Sequence, residues 1–362
     1  MNRIPFIEAR FSDPDETQRA IEDRLVARLR RLRVTDLSAA VQDSSEDDEL
    51  GPCLPVAVRD RDRRKINRRT KRLLELRETA SGLSHLKRED RERLEVLHDG
   101  ARLIQIASEH RADELAAALH AEMPWMAPAT EIVWRAMRRS LQEGRPGLRV
   151  PPLLLDGPPG IGKSHFARRL GEVLSAPTTI IEATGESASF GVVGSQRGWG
   201  SAHPGRLITT ILETRIANPV MVVDEVEKAG PVTSSKGIAF GLAEGLLPLL
   251  EPMTARRWSC PYYQVRFDMS WVIWVLTSND YRLLPDPFLS RCPPLRLQAL
   301  TLTDLIWFAQ RQARERGLSE ASTDALLESL ESACLPPQRR SLRMVIRLLN
   351  RAGDLENTPT RH

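Results

Sequence analysis

An α/β fold built on a parallel sheet, preceded by a charged helical region and followed by further helices, is what this sequence predicts. Three stretches carry that expectation. Val150 to Leu155 is an apolar run that enters Gly157-Pro158-Pro159-Gly160-Ile161-Gly162-Lys163-Ser164, and His165 to Leu174 leaves it with helical character. Val220-Met221-Val222-Val223 is a second apolar run and ends on Asp224-Glu225. Trp271 to Thr277 is a third, ending on Ser278-Asn279. Apolar runs that stop abruptly at polar residues describe buried parallel strands whose C-terminal edge is open to chemistry.

The 362 residues leave room for two or three domains and a substantial core. A net charge of +4 arises from 52 basic and 48 acidic side chains, so the surface is charged and mixed. That balance permits nucleic-acid or acidic partners without demanding them. Cys53, Cys260, Cys292 and Cys334 lie far apart with no metal-binding spacing, which suits free thiols in a reducing compartment. Met1 to Phe11 lacks the apolar core of a signal peptide. No apolar run approaches the ~20 residues of a membrane helix, so a cytoplasmic protein with no membrane partner is expected.

Taken in order, residues 1–120 form the first region, charged and helical. Ile21, Leu25, Leu29 and Leu32 fall near helical spacing within Thr17 to Leu37. An acidic patch, Asp43-Ser44-Ser45-Glu46-Asp47-Asp48-Glu49, reads as a surface loop. Nine of the fourteen residues from Arg59 to Arg72 are basic. They form either a phosphate-contacting stripe or a solvated helix face paired with acidic neighbours, and no aromatics are interleaved to stack on bases. Leu73 to Leu97 and Ala101 to Leu119 read as further amphipathic helices.

Met123-Pro124-Trp125-Met126-Ala127-Pro128 punctuates the chain, and a second domain is placed at 121–298. Within it Thr130 to Leu141 is a helix, Thr178 to Ile181 a strand and Glu186 to Gly205 a Gly-rich, aperiodic segment that exposes Trp199. Arg206 to Ala217 and Ile238 to Leu250 are helical, the stretch around Arg266 to Asp268 reads as a hairpin, and Leu295 to Leu297 is a short strand. Residues 299–362 form a third, helical part: Thr303 to Arg316, Ala321 to Ala333 and Ser341 to Asn350.

The motifs define a chemistry. Glycines in the 157–164 loop let successive backbone N–H groups close on phosphate oxygens, and the following helix N-terminus faces the same anion. Lys163 would bring its charge to the β- and γ-phosphates of ATP, while Ser164 and Asp224 would hold Mg²⁺. Glu225 would polarise the attacking water. Asn279 would orient water beside the γ-phosphate, or serve only as a strand-end turn residue.

Together these residues resemble an AAA+ ATPase, and among those the ATPase module of Lon proteases. The loop itself, Asn218-Pro219-Val220 through Asp224-Glu225-Val226-Glu227-Lys228, Leu246 to Pro252, and Ala202-His203-Pro204-Gly205-Arg206 are similar to segments of that family. So are Phe267-Asp268-Met269-Ser270 and Thr277-Ser278-Asn279. The resemblance spans residues 121–353 and implies a parallel-sheet ATPase domain with a helical lid. It implies Asn279 as sensor 1, Arg291 as an arginine finger serving a neighbouring subunit, and Arg343 as sensor 2. It also implies Trp125 as an aromatic near the adenine and Trp199 in the place of the pore-loop tyrosine, within a shorter loop. In that family a peptidase domain with a Ser-Lys dyad follows the lid, and the residues after Asn350 leave it no room.

An ATPase converting ATP and water to ADP and phosphate is therefore expected, working as a homo-oligomeric ring, most simply a hexamer. A finger such as Arg291 acts only where a neighbour presents nucleotide to it. Two roles compete. A Lon-like motor would remodel or translocate protein substrates gripped near Trp199, alone or with a separate protease. A nucleic-acid-associated loader or defence-type switch would instead use the Arg59–Arg72 stripe.

Overall fold

The computed structural model describes residues 2–11, 13, 15–42, 58–184, 188–197, 202–229, 232–233, 239–333 and 336–357. The acidic patch at 43–49, Cys53, Trp199 and Cys334 lie outside the described residues. The chain divides into two compact units, Glu8–His98 and a larger one made of Met1–Ile7 with Asp99–His362.

In the smaller unit α1 (Gln18–Gln42) packs on α2 (Asp60–Ala80), and α3 (Arg88–Glu95) follows. Its core is small: Ile21, Leu83, Leu86, Leu94 and Leu97 are buried. Ion pairs supplement that core, with Arg33 on Asp62 at 2.6 Å and Glu16 bridging Arg24 and Arg77. The basic run predicted from Arg59 to Arg72 is thus the first half of one helix, with Asp60 and Asp62 in its first turn, where acidic residues favour a helix N-terminus.

The larger unit begins with β1 (Arg3–Ile4), which pairs antiparallel with β2 (Ala101–Arg102). The helix expected from Ala101 starts later, as α4 (Glu109–Glu122), because Ser108 caps it by accepting the Arg111 N–H at 3.1 Å. Helix α4 packs on α5 (Ala127–Gln142) and on α6 (Lys163–Val173), so residues from Asp99 onward belong to the unit that holds the sheet.

The parallel strands are β3 (Leu153–Asp156), β4 (Thr178–Glu182) and β5 (Val220–Asp224). Between β4 and β5 lie α7 (Ala188–Val193) and α8 (Arg206–Thr214). Helix α7 falls in the segment read as aperiodic; it is six residues long and exists by packing on α8 and α9 rather than by a pattern of its own. A small ladder of β6 (Val232–Thr233) and β7 (Ala239–Phe240) precedes α9 (Leu242–Leu250) and α10 (Pro252–Ala255). Gly241 follows β7 and is the N-cap of α9, where its N–H donates to the Glu244 carboxylate at 2.6 Å. A hairpin of β8 (Trp258–Ser259) and β9 (Arg266–Phe267) leads to β10 (Ile273–Ser278). Then come α11 (Asp286–Arg291), β11 (Pro294–Arg296), and the helices α12 (Leu302–Arg316), α13 (Glu320–Ser332) and α14 (Leu342–Glu356).

The five strands form one parallel sheet in the order β11-β3-β10-β5-β4. Its core strands are apolar up to their polar C-terminal ends: every residue of β10 is buried, as are Leu153 to Leu155 and Val220 to Val223. Asn218, fully buried, ties the base of β5 to two other segments by accepting the Ile104 N–H and donating to the Ile104 and Leu148 carbonyls. A buried amide with these partners orients the strand without leaving an unmet polar group. The register sets Ser278 beside Asp156 and Leu276 beside Val223, so the C-terminal ends of β3, β10 and β5 open on one edge.

Candidate nucleotide site

The loop between β3 and α6 begins with Gly157 and reaches its tightest curvature at Gly160 and Gly162, with φ of +82° and +98°. Side chains with a Cβ rarely adopt that backbone, which explains glycine at both positions. Ser341 presses on the loop from the other side, since a Cβ on Gly160 would lie 2.6 Å from the Ser341 Cβ. The Leu342 N–H donates to the Gly160 carbonyl at 2.9 Å. The N-terminus of α14 therefore rests directly on the loop.

Lys163 opens α6 and is 7% exposed. Its Nζ donates to the Gly157 carbonyl at 2.6 Å, the Pro158 carbonyl at 3.0 Å and Asn279 Oδ1 at 3.0 Å. Those contacts use the three N–H bonds an ammonium has. Burial pushes its pKa down to about 8, and the charges of Asp156 and Glu227 oppose that shift. Asp156, itself buried, accepts the Tyr281 N–H at 2.9 Å and so fixes the turn after Asn279.

Ser164 Oγ donates to Asp224 Oδ1 at 2.8 Å. Thr277 supplies a second donor to the same oxygen at 2.5 Å, and its hydroxyl oxygen accepts the Glu225 N–H at 2.9 Å. Glu225 sits in the left-handed region with φ of +55°, a conformation that turns the chain sharply after β5. Its Oε1 accepts from Asn279 Nδ2 at 3.1 Å and its Oε2 meets Lys228 Nζ at 2.8 Å. The Lys228 ammonium, assisted by Asn279, holds the Glu225 carboxyl below its ordinary range despite some burial. Glu227 accepts the Asn279 backbone N–H at 3.0 Å.

Five residues singled out in the sequence, Lys163, Ser164, Asp224, Glu225 and Asn279, thus form one hydrogen-bonded cluster. Trp125 adjoins it: its Nε1–H donates to the Ile161 carbonyl at 2.8 Å, and its ring meets Trp307 and Phe308 of α12 edge-on. Arg291 lies elsewhere, on α11, donating to the Pro287 carbonyl and lying 3.9 Å from Glu251. Arg343 is exposed on the first turn of α14, beside the Ser341 contact, and makes no hydrogen bond or ion pair among the described residues. Thr277 and Lys228 are members that sequence reasoning left without a role, although both fall inside segments quoted for the family resemblance. Their side chains matter through neighbours more than fifty residues away (Thr277) or across a tight turn (Lys228).

The donor chemistry fits the groups implied by the loop. Ser164 and Asp224 present hard oxygen atoms within hydrogen-bond distance, a set that suits Mg²⁺. The N–H groups of the glycine loop and the first turn of α6 suit phosphate oxygens.

Residues 153–298 match the family model described as "ATPase family associated with various cellular activities (AAA)". The chain carries an AAA ATPase-family domain. This AAA domain contains the whole parallel sheet, and α12 to α14 follow it. A Lon protease of Chlamydia trachomatis serovar D is 32% identical over 190 residues, covering 51% of this chain and 23% of that protein. A peroxisomal Lon protease homolog 2 of Oryza sativa subsp. indica is 27% identical over 261 residues, covering 66% and 28%. A mitochondrial Lon protease homolog of Candida dubliniensis is 29% identical over 208 residues, covering 55% and 19%. The chain is related to the ATPase modules of these proteins and spans between 19% and 28% of their length. No helix among the described residues is long and apolar enough to cross a membrane.

Proposed function

We propose that the chain hydrolyses ATP to ADP and phosphate and uses the energy to remodel or translocate protein substrates as a ring, most simply a hexamer. The observation that carries the catalytic half is the convergence of Lys163, Ser164, Asp224, Glu225 and Asn279 at the ends of neighbouring parallel strands. In this reading the loop and Lys163 bind the triphosphate, and Ser164 with Asp224 holds Mg²⁺, which neutralises charge on the transferred phosphoryl group when bound. Glu225 accepts a proton from the attacking water, and Asn279 keeps the carboxylate and Lys163 in register. Lys228 must yield part of its hold on Glu225 for that step. Trp125 borders the base, Arg343 reaches the phosphates from the lid, and Arg291 serves the adjoining subunit's nucleotide. The proposed parts are a charged helical N-terminal region, expected at 1–120 and compact by itself over Glu8–His98, the ATPase domain at 121–298 and the lid at 299–362, in a cytoplasmic protein.

Kinship with proteins named as proteases supports a polypeptide substrate. Trp199 is the proposed gripping residue, because an aromatic flanked by glycines offers a large contact area at small ordering cost. A second reading, nucleic-acid binding, is favoured by one observation. Arg63, Arg64, Arg68 and Lys71 share an exposed face of α2 with Asn67, and none of these four cations makes an ion pair among the described residues.

One set of ATPase assays separates these readings. Glu225→Gln should retain ATP binding and lose hydrolysis by roughly 10²- to 10⁴-fold. The wild type should be stimulated by unfolded protein, Trp199→Ala should lose that response, and neutralising Arg63, Arg64, Arg68 and Arg69 should leave it intact. Stimulation by DNA alone, salt-sensitive and abolished in the arginine variant, would replace the first reading with the second.

A further inference from the structure

At the opposite end of the sheet, where β3 and β10 begin, a cavity of about 190 Å³ lies between α5, the α9–α10 turn, the residues leading into β3 and the start of β10. Its floor is apolar, with Leu249, Leu250 and Val272 among the lining residues. Its polar lining is almost wholly cationic: Arg139, Arg145 and Arg149. Arg145 is paired with Glu143 at 2.6 Å, whereas Arg139 and Arg149 make no ion pair among the described residues. Arg149 is half-buried, and its guanidinium is held over the Trp271 ring at 5.8 Å. Burial and the nearby charges of Arg145 and Arg256 disfavour its protonated form, and Asp268 offsets only part of that. Guanidinium groups gathered this way around a hollow repel one another until an anion arrives.

A second observation is independent of the arginines. Trp274 lines the same cavity, is 1% exposed, and its Nε1–H has no hydrogen-bond partner among the described residues. The indole nitrogen can only donate, so a buried one without an acceptor is a cost the fold carries unless a bound group supplies that acceptor.

We infer that this cavity binds an organic carboxylate with a compact apolar tail. The carboxylate would engage the planar fork of Arg149 and the Trp274 indole N–H, and the tail would fill the apolar floor. The volume is suited to one such tail, because an apolar cavity of about 150 Å³ accepts benzene. A bare oxyanion would satisfy the arginines and leave the apolar floor empty. The shared chemistry has two sources, a free short-chain acid or the C-terminus of a peptide ending in an aliphatic residue. Nothing in the inference depends on nucleotide, so it stands or falls separately from the ATPase reading.

The test is calorimetry on the full chain with 4-methylpentanoate, 4-methylpentanamide, N-acetylglycylleucine and inorganic phosphate. It is paired with the ¹H–¹⁵N indole resonance of Trp274, assigned by its absence in Trp274→Phe. The expected result is saturable binding of a carboxylate with a downfield shift of that resonance, and binding of the amide weaker by about tenfold or more. Arg149→Gln should weaken the carboxylate by a similar factor, and Arg149→Lys, which keeps the charge without the fork, should fall between. Tighter binding of the acetylated dipeptide identifies a chain end, and tighter binding of the simple acid a free ligand; both support the site. Absence of binding, equal binding of acid and amide, preference for phosphate, or affinity unchanged in Arg149→Gln overturns it.

Discussion

At the C-terminal edge of the sheet Lys163 has three acceptors and Glu225 has Asn279 and Lys228. At the N-terminal edge Arg149 shares its surroundings with Arg145 and Arg256 and makes no ion pair among the described residues. Both ends are served by the same two strands, β3 and β10, whose residues are all buried. The difference shows how a fold carries buried charge. One end is a network in which Lys163, Asp224 and Glu225 are each already met by partners, so a ligand must exchange contacts with them to enter, although Glu227 Oε2 and Ser278 Oγ lack a hydrogen-bond partner among the described residues. The other end holds like charges and an unmet donor, so a ligand would add contacts that the protein lacks.

The comparison is broken most severely at Lys163. Lys163→Ala removes a buried cation and should weaken ATP binding by roughly a hundredfold or more, measured by calorimetry. Affinity near that of the wild type would detach the loop from phosphate recognition. Thr277→Val comes next. It deletes one donor to Asp224 and leaves the Glu225 N–H without its acceptor, at a cost of ~1–3 kcal/mol in stability. A matching fall in kcat with little change in ATP affinity is expected, and an unchanged melting temperature would mean that Thr277 does not hold the two carboxylates.

A pH series sharpens the contrast further. Because Lys163 has a pKa of about 8, it becomes neutral above that pH in the free protein. ATP affinity should then fall by about tenfold per pH unit above 8, with proton uptake on binding visible as a buffer-dependent heat. The stability effect has the opposite direction. Between about 8 and the ordinary lysine value of 10.5 the unfolded chain holds more protons at this residue, so its contribution to stability rises with pH. Flat affinity from pH 7 to 10 would show that Lys163 keeps its proton throughout. The smallest effect belongs to the other edge: Arg149→Gln should leave basal ATP hydrolysis within about twofold of wild type, since Arg149 lies at the opposite end of the strands and contacts none of the nucleotide-site residues, and distant sites act independently. A large loss would couple the two ends of the sheet.

Much of this molecule is legible in its sequence. The strand, glycine loop and helix from Leu153 to Val173, the strand ending on Asp224, and the strand ending near Asn279 are local patterns of apolar residues and breakers. Such patterns act within a few residues, so composition and period are enough to read them. For the same reason Gly160 and Gly162 marked a tight loop between strand and helix, because their backbone conformation is a property of the loop itself.

What only the tertiary structure decided is which atoms meet. Parallel strands have neighbours far away in sequence, and the register of β3, β10 and β5 sets Lys163 against Asn279 and Thr277 against Asp224. Helix α7 depends on packing against α9, and the contact of Ser341 with Gly160 depends on where the last helix docks. The arginine-lined cavity draws on α5, the loop after it, the α9–α10 turn and β10, segments with no shared pattern. Local sequence sets each segment's shape. The pairing of charges and the hollow between segments arise from packing, a sum over contacts that no single segment contains.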